Sequence, residues 1–197
     1  MPPLEEVLHY LKGIRLLVSL KPQGFQWLDL SERGVRRSFW AILWCFPLML
    51  PNWIWWHGIF VDYTVPGMVP GSLFYLRMAL IELSLWFLPY LTVGLAMWLR
   101  GTSRLFDPMV VTMNWLNVPI YLVTGGVAIL ELILPLPLAF WYYVLQMQLI
   151  AIVAAQFAVF YMLAKRNWSE AAVLTAASVI PSMLASVWLN DFLGVSL

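Results

Sequence analysis

The chain has 197 residues, of which 62% are apolar and 11% charged, against roughly a quarter charged in an ordinary soluble domain. That is too little polar surface to cover a water-soluble domain of this size, and a formal net charge of +1 gives no basic patch of the kind a nucleic-acid partner requires. Long apolar runs, with 12 tryptophans and 8 tyrosines to sit where hydrocarbon meets headgroups, describe a chain that dissolves in lipid.

In chain order, residues 4–20 read as an amphipathic helix. Leu4, Val7, Leu8, Leu11, Ile14 and Val18 keep the three-and-four spacing of one face, while Glu5, Glu6, His9, Lys12, Arg15 and Ser19 fall largely elsewhere. A short, charged, one-sided helix lies on a membrane surface rather than crossing it; packing on a soluble partner is the alternative. Acids precede the first apolar stretch and no positive leader region is present, so no cleavable signal peptide is expected. The first span then acts as its own insertion signal.

Lys21-Pro22-Gln23-Gly24 breaks that helix. Asp29-Leu30-Ser31-Glu32 is a capping-box pattern, which predicts a helix start near Leu30 that runs on into lipid. Five apolar runs follow, near 38–59, 73–99, 109–130, 139–163 and 171–190. Each exceeds the roughly 20 residues needed to cross about 30 Å of hydrocarbon, so tilt is expected. Glu131 and the Pro135-Leu136-Pro137 turn divide the third run from the fourth. The expected fold is all-α. A cytosolic segment (1–37) carries the interfacial helix, and a polytopic bundle of about five transmembrane helices (38–197) follows it.

The connections give the orientation. Lys12, Arg15, Lys21, Arg33, Arg36 and Arg37 precede the first span; Arg100 and Arg104 follow the second; Lys165 and Arg166 follow the fourth. The opposite connections hold Asp62, Glu131 and Asp191 and no lysine. Positive segments stay cytosolic, so the N-terminus is expected in the cytoplasm and the C-terminus on the extracytoplasmic side. Arg33, Arg36, Arg37, Arg100, Arg104, Lys165 and Arg166 form a basic collar on the inner face.

Two charged residues fall inside a span, Arg77 and Glu82. A charge there costs about 2.5–3.5 kcal/mol on the mildest scale, which marks it as a functional candidate. Counted back from Arg100, the boundary falls near Leu80, so Arg77 snorkels into headgroups and Glu82 sits about 3 Å inside. Glu82 is then an interfacial anchor, or, with strong tilt, a buried group in need of a partner. The two differ by about 140° around the helix and are not a standard ion pair.

Uncharged polar residues form a second set. Asn114 and Asn117 lie three apart in the third run, with Tyr121 and Thr124 continuing that face. Gln148 and Gln156 in the fourth lie within about 80° of each other, and Gln146 points away. By depth, Gln156 is expected to meet Asn114 or Asn117, and Gln146 and Gln148 to face Glu82. These amides read either as interhelical hydrogen bonds worth about 1 kcal/mol each or as a polar path for a substrate. Ala151/Ala155, Ala154/Ala158 and Ala172/Ala176 have the small-xxx-small spacing of helix contact faces. Pro47, Pro51, Pro89, Pro119 and Pro181 predict kinks in four spans.

Catalysis, cofactor and metal are not expected. Cys45 is the lone cysteine and packs as a small hydrophobe. His9 and His57 fall on opposite sides of the membrane, so they share no haem or metal. Gly-x-Ser-x-Gly, Walker-loop and HExxH motifs are absent.

Arg104-Leu105-Phe106-Asp107-Pro108 leading to Asn114-Trp115 resembles the charged link between the second and third spans in the bacterial branch of the Yip1-domain family. That family shares the layout of a cytosolic segment followed by five spans. The resemblance covers about residues 38–197. It implies a non-enzymatic protein of the bacterial inner (plasma) membrane that organises lipid or partner proteins, and it carries over no catalytic residue. The vesicle-trafficking role of eukaryotic relatives does not transfer. The other readings are a small transporter or channel subunit using Glu82 and the Asn114/Asn117 face, and an accessory subunit of a larger membrane complex. Membrane lipid, a membrane-protein partner or a second copy of the chain are the partners these readings imply.

Overall fold

A computed structural model describes residues 2–63, 73–134 and 136–195. The 64–72 connection, Pro135 of the predicted turn and the last two residues of the tail lie outside the described residues. The described chain is all-helical: α1 (Leu4–Val18), a 3-10 segment (Pro22–Trp27), α2 (Glu32–Ser38), α3 (Ala41–Tyr63), α4 (Phe74–Leu99), a 3-10 turn (Ser103–Leu105), α5 (Phe106–Ile133), α6 (Leu138–Leu163) and α7 (Trp168–Phe192). Each of the five apolar runs forms one helix. Four helices, ending at Leu99, Ile133, Leu163 and Phe192, are long and apolar enough to cross a membrane. The exception, α3, carries two prolines, Asn52, His57 and four tryptophans, which lower its hydropathy.

The helices alternate in direction. On α5, Asn114 meets Ser38 and Gly125 meets the Leu48 backbone, so α3 and α5 run side by side in the same sense. The Gly125 contact is with the Leu48 carbonyl oxygen, where an added Cβ has no room; glycine lets the two backbones close. In contrast α4 and α7 are antiparallel, with Arg100 beside Glu170 at one end and Arg77 beside Gly194 at the other. The α4–α7 and α6–α7 faces are extensive and α4–α5 backbone contact is sparse. The result is a ring of α4, α7, α6 and α5, with α3 laid along the outside of α5.

The N-terminal segment folds back onto this bundle. In α1 the buried residues are Val7, Tyr10, Gly13, Ile14 and Leu17, and the helix packs on α5, α6 and the 3-10 segment. Close approach of Gly13 to Gly24 leaves no space for a side chain on either. Tyr10 packs at a tilt of 35° on Trp115 with ring centroids 4.7 Å apart and donates to Glu6, which also pairs with Arg37 at 2.6 Å. Burial, reinforced by the Glu6 carboxylate, pushes the Tyr10 phenol well above its ordinary range.

Four local expectations need correction. The cap of α2 is Ser31, whose hydroxyl accepts from the Gly34 amide at 3.3 Å, rather than Asp29. Asp29 supports it by accepting from the Ser31 hydroxyl at 2.6 Å and its amide at 3.1 Å, which lowers the Asp29 pKa. Ahead of α3 this helix stops, with a break at Phe39-Trp40. Glu131 is not in a connection: α5 continues to Ile133 and buries it. Finally, Ala154, Ala172 and Ala176 point out of the bundle and Ala151 lines an open cleft, so most of the small-residue pairs are not internal contact faces.

Candidate functional site

Asn114 is fully buried at the point where α4 and α5 meet the end of α2. Its Oδ1 accepts from Trp86 Nε1 at 2.8 Å and from the Tyr90 hydroxyl at 2.6 Å. Its Nδ2 donates to Ser38 Oγ at 2.8 Å, and Ser38 donates onward to the Val35 carbonyl at 2.7 Å. The side chains bridge the gap that the sparse α4–α5 backbone contact leaves. Buried amides are stable only when so satisfied, and this one ties three elements together.

Nearer the opposite end, Glu82 Oε2 accepts from the Tyr121 hydroxyl at 2.6 Å, and Oε1 lies 3.5 Å from Trp53 Nε1. The carboxyl therefore joins α3, α4 and α5; it is held by partners and is not a bare interfacial anchor. Tyr121 also lies flat against Trp86, with centroids 5.9 Å apart and planes 11° from parallel. The two polar groups are thus linked through one stacked ring pair.

Inside the ring of α4, α5, α6 and α7 lies a cavity of about 250 Å³. Its polar wall is Asn117 and Tyr121 from α5, Gln156 from α6, and Ser178, Ser182 and Ser186 from α7. By helical rise Asn117 lies about 16 Å along α5 from Phe106, and Gln156 about 10 Å along α6 from Leu163. No lining residue is charged. Ser178 donates to Gln156 Oε1 at 3.5 Å, and Ser182 bonds back to the Ser178 carbonyl at 2.7 Å. The Asn117 amide and Gln156 Nε2 bond to no other group among the described residues. At roughly 30 Å³ per water of liquid volume, the space suits about eight waters or one small solute.

The basic end of the ring is held by Glu170, 7% exposed, which pairs with Arg100 Nε at 2.5 Å and accepts from Thr102 at 3.3 Å. Asn167 caps α7 by accepting from the Glu170 amide at 3.1 Å. Arg33, Arg36, Arg104, Lys165 and Arg166 are exposed, and Lys165 and Arg166 adopt left-handed backbone in the α6–α7 turn, with φ of 53° and 67°.

Predicted site residues are brought together only in part. Asn117, Tyr121 and Gln156 share the cavity as expected from depth. Asn114, three residues from Asn117 and so about 60° around α5, faces α4 and Ser38 instead. Gln148 is turned by about 80° from Gln156 into a different space between α1, α5 and α6, with Nε2 buried and unpartnered. Neither it nor the exposed Gln146 approaches Glu82 closely enough to bond. Arg77 sits by the C-terminal turn of α7 near Gly194, where a cation suits the helix dipole, and is not paired with Glu82. Sequence reading missed Ser38, Trp86, Tyr90 and Glu170. Only Glu170 left a local signal: Asn167-x-x-Glu170 is a helix-start pattern. Among the described residues, His, Cys, Asp and Glu form no group of three that could hold a metal. No family matches the chain, and neither a curated protein nor a solved structure matches it.

Proposed function

We propose that this chain is a five-span membrane protein whose central cavity holds a small uncharged polar solute, as a transporter or channel subunit. The observation that carries this is the Asn117 amide, with no hydrogen bond among the described residues, and the half-satisfied Gln156 amide, both facing a partly open cavity between the helices. In hydrocarbon an amide without a partner is costly, so a wall of them fits a space filled by water or solute. The lack of any lining charge argues for a neutral occupant, because an ion would lose its hydration without a counter-charge. Glu82 stands behind that wall, reached through Tyr121.

Counting α3 as the fifth span rests on its 23-residue length and its course beside α5. The exposed basic residues at one end then fit a cytosolic face and a cytoplasmic N-terminus, as in a bacterial inner membrane. The test is stopped-flow swelling of proteoliposomes challenged with glycerol, urea and water gradients. Faster equilibration than in protein-free vesicles, lost in Asn117→Leu and Gln156→Leu, supports the reading. Permeability equal to empty vesicles for every solute sinks it.

A second reading is a lipid- or partner-organising protein like the Yip1-domain family. It is favoured by the docked N-terminal segment, tied down through Tyr10–Trp115 and Glu6–Arg37 while Arg33 and Arg36 stay free on the surface. Purification in mild detergent, with and without residues 1–24, tests it. Partners lost on deletion support an organising or accessory role, and a solitary protein in both cases counts against it.

A further inference from the structure

A second space, about 690 Å³, opens between α5 and α6 and is closed along one side by α1. Its walls are Leu116, Ile120 and Val123 from α5 and Val144, Met147 and Ala151 from α6. Leu11, Ile14 and Val18 of α1 line it from the N-terminal segment, and Arg15, Ser19, Thr124 and Gln148 are its polar residues, with the Gln148 Nε2 buried and unpartnered. From Val144 to Ala155 the cleft follows α6 for about 16 Å, close to the roughly 15 Å of hydrocarbon in one leaflet. Arg15 is exposed and pairs with no carboxylate among the described residues. Tyr10–Trp115 and Glu6–Arg37 tie the first half of α1 to the bundle, and Arg15 lies further along the helix, at the cleft.

We infer that this cleft binds an anionic phospholipid, one acyl chain lying between α5 and α6 and the phosphate meeting Arg15. An apolar slot one leaflet long, bordered by an unpaired guanidinium, matches both halves of such a molecule. Arg offers the forked donors that suit phosphate oxygens. Ala151 and Ala155, spaced as a helix-contact pair, here deepen the cleft: small side chains leave the width a chain fills. This site is separate from the polar cavity and does not depend on it.

Native mass spectrometry of the full chain in mild detergent, with phosphatidylglycerol or phosphatidylcholine added at equal concentration, tests the assignment. Wild type should retain one phosphatidylglycerol per chain in preference to phosphatidylcholine. Ala151→Phe, which fills the slot, should weaken retention of both lipids, and Arg15→Gln should cut the preference for the anionic lipid by about tenfold, the worth of one charge-assisted contact. Because Arg15 is on the surface, that variant reads out even where Ala151→Phe folds poorly. Equal retention of the two lipids by wild type overturns the inference, as does unchanged retention in Ala151→Phe. A wild-type dimer that becomes monomeric in Ala151→Phe would overturn it too and assign the slot to a second copy.

Discussion

Asn114 and Asn117 occupy the same helix, one turn apart, and meet opposite fates. Around Asn114 three donors and acceptors from α4 and the end of α2 close on the amide and leave no space. Around Asn117 the neighbours stand back, and the amide faces a cavity. The difference comes from helix rotation: about 60° of turn carries one residue to a junction that needs a polar rivet and the other to the middle of the ring. One residue type therefore serves as structure in the first case and as a candidate binding group in the second. The two can be separated by how much stability each supplies.

The largest loss should follow Asn114→Leu. Removing the amide strands Trp86 Nε1, the Tyr90 hydroxyl and Ser38 Oγ, and at roughly 1 kcal/mol per interhelical bond the cost is about 3 kcal/mol. Thermal unfolding in detergent should show this as a strongly lowered midpoint. Asn114→Asp, which keeps the acceptor for Trp86 and Tyr90, should lose less. An unchanged midpoint in Asn114→Leu would mean that the rivet is dispensable and that the contrast between the two asparagines is wrong.

Next comes the Glu82 cluster, which lies between the two extremes. Tyr121→Phe removes the short bond and leaves only the 3.5 Å contact from Trp53, a cost of about 1–2 kcal/mol. Glu82→Gln should be milder, since the amide carbonyl still accepts from Tyr121 while no charge is left to bury. Unfolding curves that reverse this order would show the cluster relying on the negative charge rather than on the hydrogen bond. The Arg100–Glu170 pair should matter less again. Arg100 is 42% exposed, so solvent screens the pair, and Glu170→Gln should cost about 1 kcal/mol or less. A larger loss would show that Thr102 and the α7 start depend on the carboxylate.

The long helices themselves were legible because a hydrocarbon slab imposes a length, and four of them are long and apolar enough to meet it. The break between α2 and α3 was not, because Phe39-Trp40 carries no glycine or proline to announce it. Depth was read correctly for Gln156 and Asn117, since rise along a helix is fixed at about 1.5 Å per residue. Facing was read wrongly for Gln148 and was left open between Asn114 and Asn117. Which side of a helix looks inward depends on how its neighbours are arranged around it, and periodicity is nearly silent when apolar residues surround a helix on every side. Glu131 failed for a related reason: a carboxylate near a turn looks like a loop residue until the helix is seen to continue past it.

The smallest stability effect, and the most informative, should be that of Asn117→Leu. No hydrogen bond among the described residues is lost, and an apolar side chain replaces an amide that faces the cavity. The midpoint should shift by no more than about 0.5 kcal/mol in either direction, as for a substitution that touches no packed or bonded feature. Solute flux, if the cavity serves as proposed, should fall nonetheless. A leucine that strongly destabilises the bundle would reveal a structural partner for Asn117, and the cavity wall would then be an extension of the Asn114 junction. A variant that keeps both its stability and its flux would leave the ring with a void of no consequence. Only stability retained with flux lost separates a binding surface from a rivet, and it does so between two identical side chains on one helix.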